Sequence, residues 1–281
     1  MKESIGVVGA GLMGAEIALM FAVAGHEVLL NDRDEASVTR AIERLKALMQ
    51  KGVARGFYAR EAVEPTISRI HRTLDIADLG AVDFVTEAVF EAQEVKTSVF
   101  SALDRVCKAD CIIATNTSTI PISTLAAALP AARRARFIGT HYFSPVSRMK
   151  LVEVIPGFET KEIAIDAAIR LCEGVGKTAI RVKDVAGFAV NRMLHAFIIE
   201  AVRLVEEGVA TPRDLDLACK LGLGHAMGPF ELMDVVTSSL CVQAQEIMQE
   251  AYGERFRPPA LLKQRVRAGF VGGRGKPGWH D

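Results

Sequence analysis

Charge of one sign is what this 281-residue sequence most plainly lacks: 34 basic residues stand against 34 acidic ones, and no run of like charge stands out. That balance argues against nucleic acid and against a membrane surface as partners. No apolar stretch approaches the length of a membrane span. The opening MKESIGVVGAG enters a strand-like run almost at once, so neither a signal nor a transit peptide is expected. The five cysteines, Cys107, Cys111, Cys172, Cys219 and Cys241, form no CxxC pair and have no accompanying histidines. A disulfide framework and a metal site are therefore excluded as expectations, and packed, reduced thiols in a cytoplasmic compartment are expected instead. There is also no internal repeat and no low-complexity segment.

What is there is a chain with half its residues apolar, long enough for one large domain or two ordinary ones. Its first two thirds alternate between strand and helix patterns. SIGVVGAG leads into an apolar-periodic helix from about Leu12 to Ala24, and EVLLND is a second strand. From Val38 a helix places Val38, Ala41, Ile42, Leu45, Leu48 and Met49 on one face. Further strands are expected at VDFVTEA, CIIATN, RFIGTHYF, KLVEVI and TAIRVKD. Strands alternating with helices imply an α/β domain of the doubly wound, Rossmann type, its sheet covered on both faces. From Val190 onward only helical patterns remain, with Thr211 and Pro212 suited to begin one helix and Gly222 to end it. The expected division is 1–186 for the α/β domain and 187–281 for a smaller all-helical one.

The first motif with chemistry is Gly9-Ala-Gly11-Leu12-Met13-Gly14. Alone, a GxGxxG is weak, but here it follows a strand, opens a helix, and is followed roughly twenty residues on by a strand ending in Asp32. The glycines permit a tight turn, a close approach of backbone N–H groups to a pyrophosphate, and close helix packing. Asp32 would accept bonds from the adenosine ribose and repel a 2′-phosphate, which favours NAD, although Arg33 beside it is a group that a 2′-phosphate could meet.

A dinucleotide site supplies a hydride acceptor but no base. The stretch HYFSPVSRMKLVEV, His141 to Val154, reads as two strands joined through Pro145. If they lie side by side, His141 and Glu153 come within reach. A carboxylate on one ring nitrogen fixes the tautomer and stabilises the imidazolium once the other nitrogen has taken a proton. A buried ion pair with no catalytic task is the alternative.

GAGLMG, the NTS of Asn116 to Ser118, HYFSPVSRMKLVEV, the DVAGFAVNR of Asp184 to Arg192 and the GPFELMD of Gly228 to Asp234 together resemble the L-3-hydroxyacyl-CoA dehydrogenases over nearly the whole chain. The resemblance implies NAD-dependent oxidation of a 3-hydroxyacyl-CoA thioester, or the reverse reduction. It implies His141 as acid/base, Glu153 as its partner, Ser118 as the residue orienting the substrate oxygen and Asn191 as the hold on the acyl group. By the same resemblance Gly9, Gly11, Leu12, Met13, Gly14, Asp32, Glu91, Lys96 and Ser144 are cofactor contacts, and a coenzyme A contact falls on the helix around Lys51.

Read without the family, Ser118 and Asn191 could each cap a following helix, and Glu91 and Lys96 could be solvated helix charges. Ser144 departs from the asparagine usual in single-domain members; HYFSP and AYGERF look more like the dehydrogenase portion of multifunctional fatty-acid oxidation enzymes. A dehydrogenase of a small gulonate- or carnitine-like acid, and a crystallin-like protein that binds NADH without turnover, remain as alternatives. Apolar residues of the helical part, Phe197, Ile198, Leu204, Phe230, Leu232, Leu240 and Ile247, are expected to reach the surface and support a homodimer.

Overall fold

The apolar runs before Gly9, up to Asn31 and up to Thr115 become strands of one sheet. In the computed structural model, which describes residues 2–280, the chain divides into two units, Met1–Asp184 and Val185–Asp281. The first unit contains, in order, β1 (Ile5–Val8), α1 (Leu12–Val23), β2 (Val28–Asn31), α2 (Glu35–Ala54), α3 (Val63–Ser68), β3 (Ile70–Thr73), β4 (Phe84–Glu87), α4 (Gln93–Val106), β5 (Ile112–Thr115), α5 (Ile122–Ala126), α6 (Ala131–Arg134), β6 (Phe137–Tyr142), β7 (Leu151–Pro156), α7 (Glu162–Gly174) and β8 (Thr178–Arg181). The strands form one sheet in the order β3-β2-β1-β4-β5-β6-β7-β8.

All neighbours pair in parallel except β6 and β7, which run antiparallel. Every residue of β1, β4 and β5 is buried, which is why β1 and β5 read as nearly continuous apolar runs instead of alternating ones, while β4 ends on the buried Glu87. The order reverses at β1, flanked by β2 on one side and β4 on the other. A sheet of this kind binds its ligand in the crevice outside the strand carboxyl ends at such a reversal.

One strand was not legible beforehand. β3 buries only Ile70 and Thr73 and exposes His71 and Arg72. At the sheet's edge such a strand needs no apolar run, and charge there discourages pairing with another chain. The helix expected from Val38 starts earlier, at Glu35, because the Asp34 carboxylate caps it by accepting from the Ala36 and Ser37 amides.

The second unit is helical throughout: α8 (Val190–Glu206), α9 (Pro212–Gly222), α10 (Pro229–Val236), α11 (Ser238–Tyr252) and α12 (Ala260–Arg267). α8 turns His195, Ile198, Ile199 and Val202 inward at helical spacing. Thr211 caps α9, Pro212 opens it and Gly222 ends it, as the pattern predicts. The Asp216 carboxylate accepts from the Phe230 and Glu231 amides and so caps α10. That approach needs Gly228, since a Cβ there would lie 2.2 Å from Asp216 Oδ1.

The expected apolar surface needs correction. Ile198 and Phe230 are fully buried in the core of this unit, and Phe197, Leu204, Leu232 and Ile247 are half-buried, so only Leu240 is exposed. Exposed apolar side chains stand elsewhere, on Leu217, Leu221, Leu223 and Val235. Ile198 and Phe230 depart from the expectation because a small bundle turns its best apolar stripe inward first. The cysteines are all buried and unbridged. Among the described residues no helix is long and apolar enough to cross a membrane.

Burial lowers the His195 pKa from 6.5 to about 4. The unfolded chain therefore binds a proton that the folded unit refuses, so stability is complete above pH 6.5 and declines as pH falls towards 4. The expected loss is about 3 kcal/mol. Acid denaturation of His195→Leu beside the parent chain checks this: the variant should lose the decline over that window, and an unchanged profile would contradict the assignment.

Candidate active site

β1 ends and α1 begins within the glycine turn. Gly9 takes φ +103°, and a Cβ on it would lie 2.7 Å from the Ala88 carbonyl oxygen. A Cβ on Gly14 would lie 1.9 Å from the Gly9 carbonyl oxygen, so this position admits no side chain. At Gly11 an added Cβ meets nothing within 4 Å. Gly11 is also the N-cap of α1 and offers no side-chain cap. The first amides of the helix thus have no side-chain cap, the arrangement that leaves them to accept a phosphate.

Leu12 is exposed and Met13 half-buried against the core. Asp32 lies just past β2, its Oδ2 accepting from Ala10 N at 2.8 Å and its Oδ1 from Asp34 N at 3.2 Å. These residues fit a dinucleotide: an open amide turn for the pyrophosphate and a carboxylate beside it for the ribose. Arg44, which nothing in the sequence marks as a site residue, donates to the Gly11 carbonyl at 2.9 Å and brings a guanidinium to this turn.

On the other side of the reversal, the ends of β4 and β5 carry a network. Glu87, the last residue of β4, is fully buried; its Oε1 accepts from Lys96 Nζ and Val89 N, each at 2.7 Å, and its Oε2 from Thr115 Oγ1 at 2.7 Å. Burial pushes this carboxyl above the usual carboxylate range, opposed by Lys96 and the donors. Lys96 is 1% exposed and also pairs with Glu91 Oε2 at 3.2 Å.

Glu91 Oε1 accepts from Thr117 Oγ1 at 2.5 Å, Ser118 N at 2.8 Å, Thr119 N at 3.1 Å and Thr119 Oγ1 at 3.1 Å. Burial alone would raise the Glu91 carboxyl, but Lys96, Thr117 and Ser118 more than offset it and hold it below the usual range. Solvated helix charges these are not. The sequence did carry a signal: Lys96 shares the buried stripe of α4 with Phe100 and Leu103, and Glu87 interrupts an otherwise uncharged strand.

β6 and β7 place His141 directly opposite Glu153. His141 Nδ1 lies 2.8 Å from Glu153 Oε2, with His141 4% exposed and Glu153 fully buried. The Phe143 ring leans on the imidazole at 4.6 Å between centroids. Next to it, Tyr142 N donates to Asn116 Oδ1 at 2.9 Å, tying β6 to the turn that carries Ser118. Ser144 follows on the exposed connection to β7.

The capping alternatives do not hold. α5 begins after Pro121, and the Asp184 carboxylate accepts from its Ile122 and Ser123 amides, each at 2.7 Å, so Ser118 is not its cap. α8 is capped at Ala189, which puts Asn191 inside its first turn, in the second unit. Among the described residues no cluster of histidine, cysteine and carboxylate side chains is arranged to hold a metal ion.

Comparison with known proteins adds a family. Residues 4–185 match the family model described as 3-hydroxyacyl-CoA dehydrogenase, NAD binding domain, and residues 187–281 the one described as 3-hydroxyacyl-CoA dehydrogenase, C-terminal domain. The chain is 38% identical over 280 residues to a probable 3-hydroxybutyryl-CoA dehydrogenase of Deinococcus radiodurans, covering 98% of each chain. A protein of the same description from Bacillus subtilis is 38% identical over 280 residues, covering 99% of this chain and 97% of that one. Among solved structures, (S)-3-hydroxybutyryl-CoA dehydrogenase PaaH1 of Ralstonia eutropha matches with a TM-score of 0.95 at 33% identity, covering 100% of this chain and 99% of that one.

Because Gly11 faces open space, Gly11→Ala should leave the thermal midpoint unchanged while weakening NADH binding about tenfold or more, equal to about 1.4 kcal/mol. Titration calorimetry with NADH checks it. An unchanged dissociation constant would remove the turn from the binding site.

Proposed function

This chain belongs to the 3-hydroxyacyl-CoA dehydrogenase family, and on that premise we propose that it oxidises an L-3-hydroxyacyl-CoA to the 3-ketoacyl-CoA, or catalyses the reverse reduction. The observation that carries this reading is the buried His141–Glu153 pair at the carboxyl end of β6, on the crevice side of the sheet. NAD, when bound, supplies the hydride acceptor.

The chain's own residues handle the proton. Glu153 holds a proton on His141 Nδ1, which directs Nε2 to take the proton of the substrate hydroxyl. The carboxylate then stabilises the imidazolium that results. In reduction the imidazolium returns that proton to the carbonyl oxygen. Ser118, held through its amide by Glu91, orients the substrate oxygen, and Asn191 holds the acyl group. Gly9, Gly11, Leu12, Met13, Gly14 and Asp32 bind the pyrophosphate and adenosine ribose, with Ser144 at the far end of the cofactor. Lys96, enclosed between two carboxylates, acts on the cofactor through Glu91.

A coenzyme A substrate is supported by a cavity of about 510 Å³ lined by Leu48, Lys51, Gly52, Arg55, Phe57, Tyr58, Ser147 and Arg148. Three cations and two aromatic rings suit a phosphorylated nucleotide, whereas a small hydroxy acid would leave them without a task. The exposed apolar side chains of Leu217, Leu221, Leu223 and Val235 supply a surface for a second copy of the chain, so we read the protein as a homodimer. Sedimentation at micromolar concentration checks the dimer, and a monomer would refute it.

His141→Gln should cut turnover about 100- to 10,000-fold with NADH affinity retained; normal turnover would refute the assignment. Lys51→Ala with Arg55→Ala should raise KM for a 3-hydroxyacyl-CoA severalfold with kcat near that of the parent. A pantetheine thioester, which has no nucleotide, should be used equally by both proteins. Turnover of free hydroxy acids in preference to the CoA thioesters would overturn the substrate class, and no turnover of either would leave an NADH-binding protein.

A further inference from the structure

Glu87, Lys96 and Glu91 form a closed cluster whose two carboxylates outnumber its one ammonium. Glu87 accepts three hydrogen bonds, from Val89 N, Lys96 Nζ and Thr115 Oγ1. The Thr115 hydroxyl itself accepts from Thr117 N at 3.3 Å, so its own proton is directed to Glu87. Glu91 accepts the four bonds of the Thr117–Thr119 turn beside its pairing with Lys96. Both carboxylates are thus surrounded by donors, which oppose the burial that raises Glu87, and with both ionised the cluster carries one net negative charge. Glu87 and Lys96 are shielded from water, and Glu91 is about one third exposed, its side chain 32% accessible.

The position of this charge follows from the topology. Glu87 stands opposite Val8 at the end of β1 and opposite Thr115 at the end of β5. The loop after it touches the glycine turn, because a Cβ on Gly9 would lie 2.7 Å from the Ala88 carbonyl oxygen. Asp32, at the end of β2, marks the adenosine side of the crevice. A dinucleotide lying across the strand ends, with its pyrophosphate at the glycine turn, therefore runs its nicotinamide half towards β4, β5 and β6. That is the side of Glu91 and also of His141.

The oxidised nicotinamide ring is a cation and the reduced ring is neutral. A fixed negative charge held in a poorly hydrated region attracts the first and not the second. We propose that the Glu87–Lys96–Glu91 cluster sets the preference of the site for oxidised over reduced nicotinamide, with Glu87 as a positioning and charge-setting residue that need not touch the cofactor. Its consequence for the reaction is a lower reduction potential of the bound cofactor, which favours release of NADH after oxidation. The inference rests on the dinucleotide reading of the glycine turn and is independent of which hydroxyacyl substrate is used.

The test is the ratio of dissociation constants for NAD and NADH, measured by titration calorimetry at one pH on the full chain and on three variants. Glu87→Gln and Glu91→Gln each remove one negative charge while keeping the side-chain shape. Each should raise the ratio of the NAD constant to the NADH constant on the order of tenfold, the worth of one unit charge at several ångströms in a partly hydrated site. Glu87→Gln combined with Lys96→Met restores one net negative charge on Glu91 and should return the ratio to within about threefold of the parent value, still inside the tenfold shift.

A purely structural role predicts otherwise: both constants rise together, the ratio stays put, and the double variant is worse than the single one. Either an unmoved ratio in the single variants, or a double variant that shifts further in their direction, overturns the proposal. Failure of the parent chain to bind either nucleotide would instead overturn the dinucleotide reading beneath it.

Discussion

The structure depends on one register. β6 and β7 are antiparallel and set His141 against Glu153, and because side chains alternate across a strand, a slip of one residue would send one of the two to the opposite face of the sheet. An isolated charge at a site 4% exposed or less would cost several kcal/mol. Paired at 2.8 Å, imidazole and carboxylate are tolerated there, and in the proposed reaction the carboxylate settles which nitrogen exchanges a proton. Neighbouring contacts guard the register: Tyr142 N is held by Asn116, and β8 pairs with the outer edge of β7.

The same strand ends carry the other groups of the first unit to which we assign a role. Parallel strands with crossover helices leave their carboxyl ends on one rim, where loops are free to carry function. On that rim stand the glycine turn, the Asp32 carboxylate, the Glu91 loop with its grip on Ser118, and the histidine of β6 that we propose as the base. Each is held by hydrogen bonds, to backbone for Asp32 and the Ser118 turn and to a buried side chain for His141, and not by a flexible surface.

Much of this was legible in the sequence, and the reason is period. Fully buried strands leave apolar runs, glycines mark a turn where a Cβ cannot fit, and the distance between His141 and Glu153 suits a short antiparallel return. What escaped reading did so for physical reasons. β3 lies at an edge, where burial asks little of its residues. The surface of the helical unit was misjudged because Ile198 and Phe230 turn inward, a choice that depends on how helices pack and not on how apolar each one is. Glu87 drew no attention and Lys96 could be taken for a solvated helix charge, since a buried ion cluster is assembled from residues whose individual types signal solvent; only their places, within a buried strand and on the apolar stripe of α4, mark them as interior. Ser118 and Asn191 could be taken for helix caps until the helices were seen to start at other residues.

The most direct measurement of the central claim is the nitrogen NMR spectrum of the six histidines, with the His141 signals assigned by comparison with His141→Gln, at a pH where the ring is neutral. The account predicts that the neutral ring carries its proton on Nδ1, facing Glu153, with Nε2 unprotonated, and that Glu153→Gln weakens this tautomeric preference. A neutral His141 with its proton on Nε2 would contradict it, because the nitrogen assigned to take the substrate proton would already be occupied.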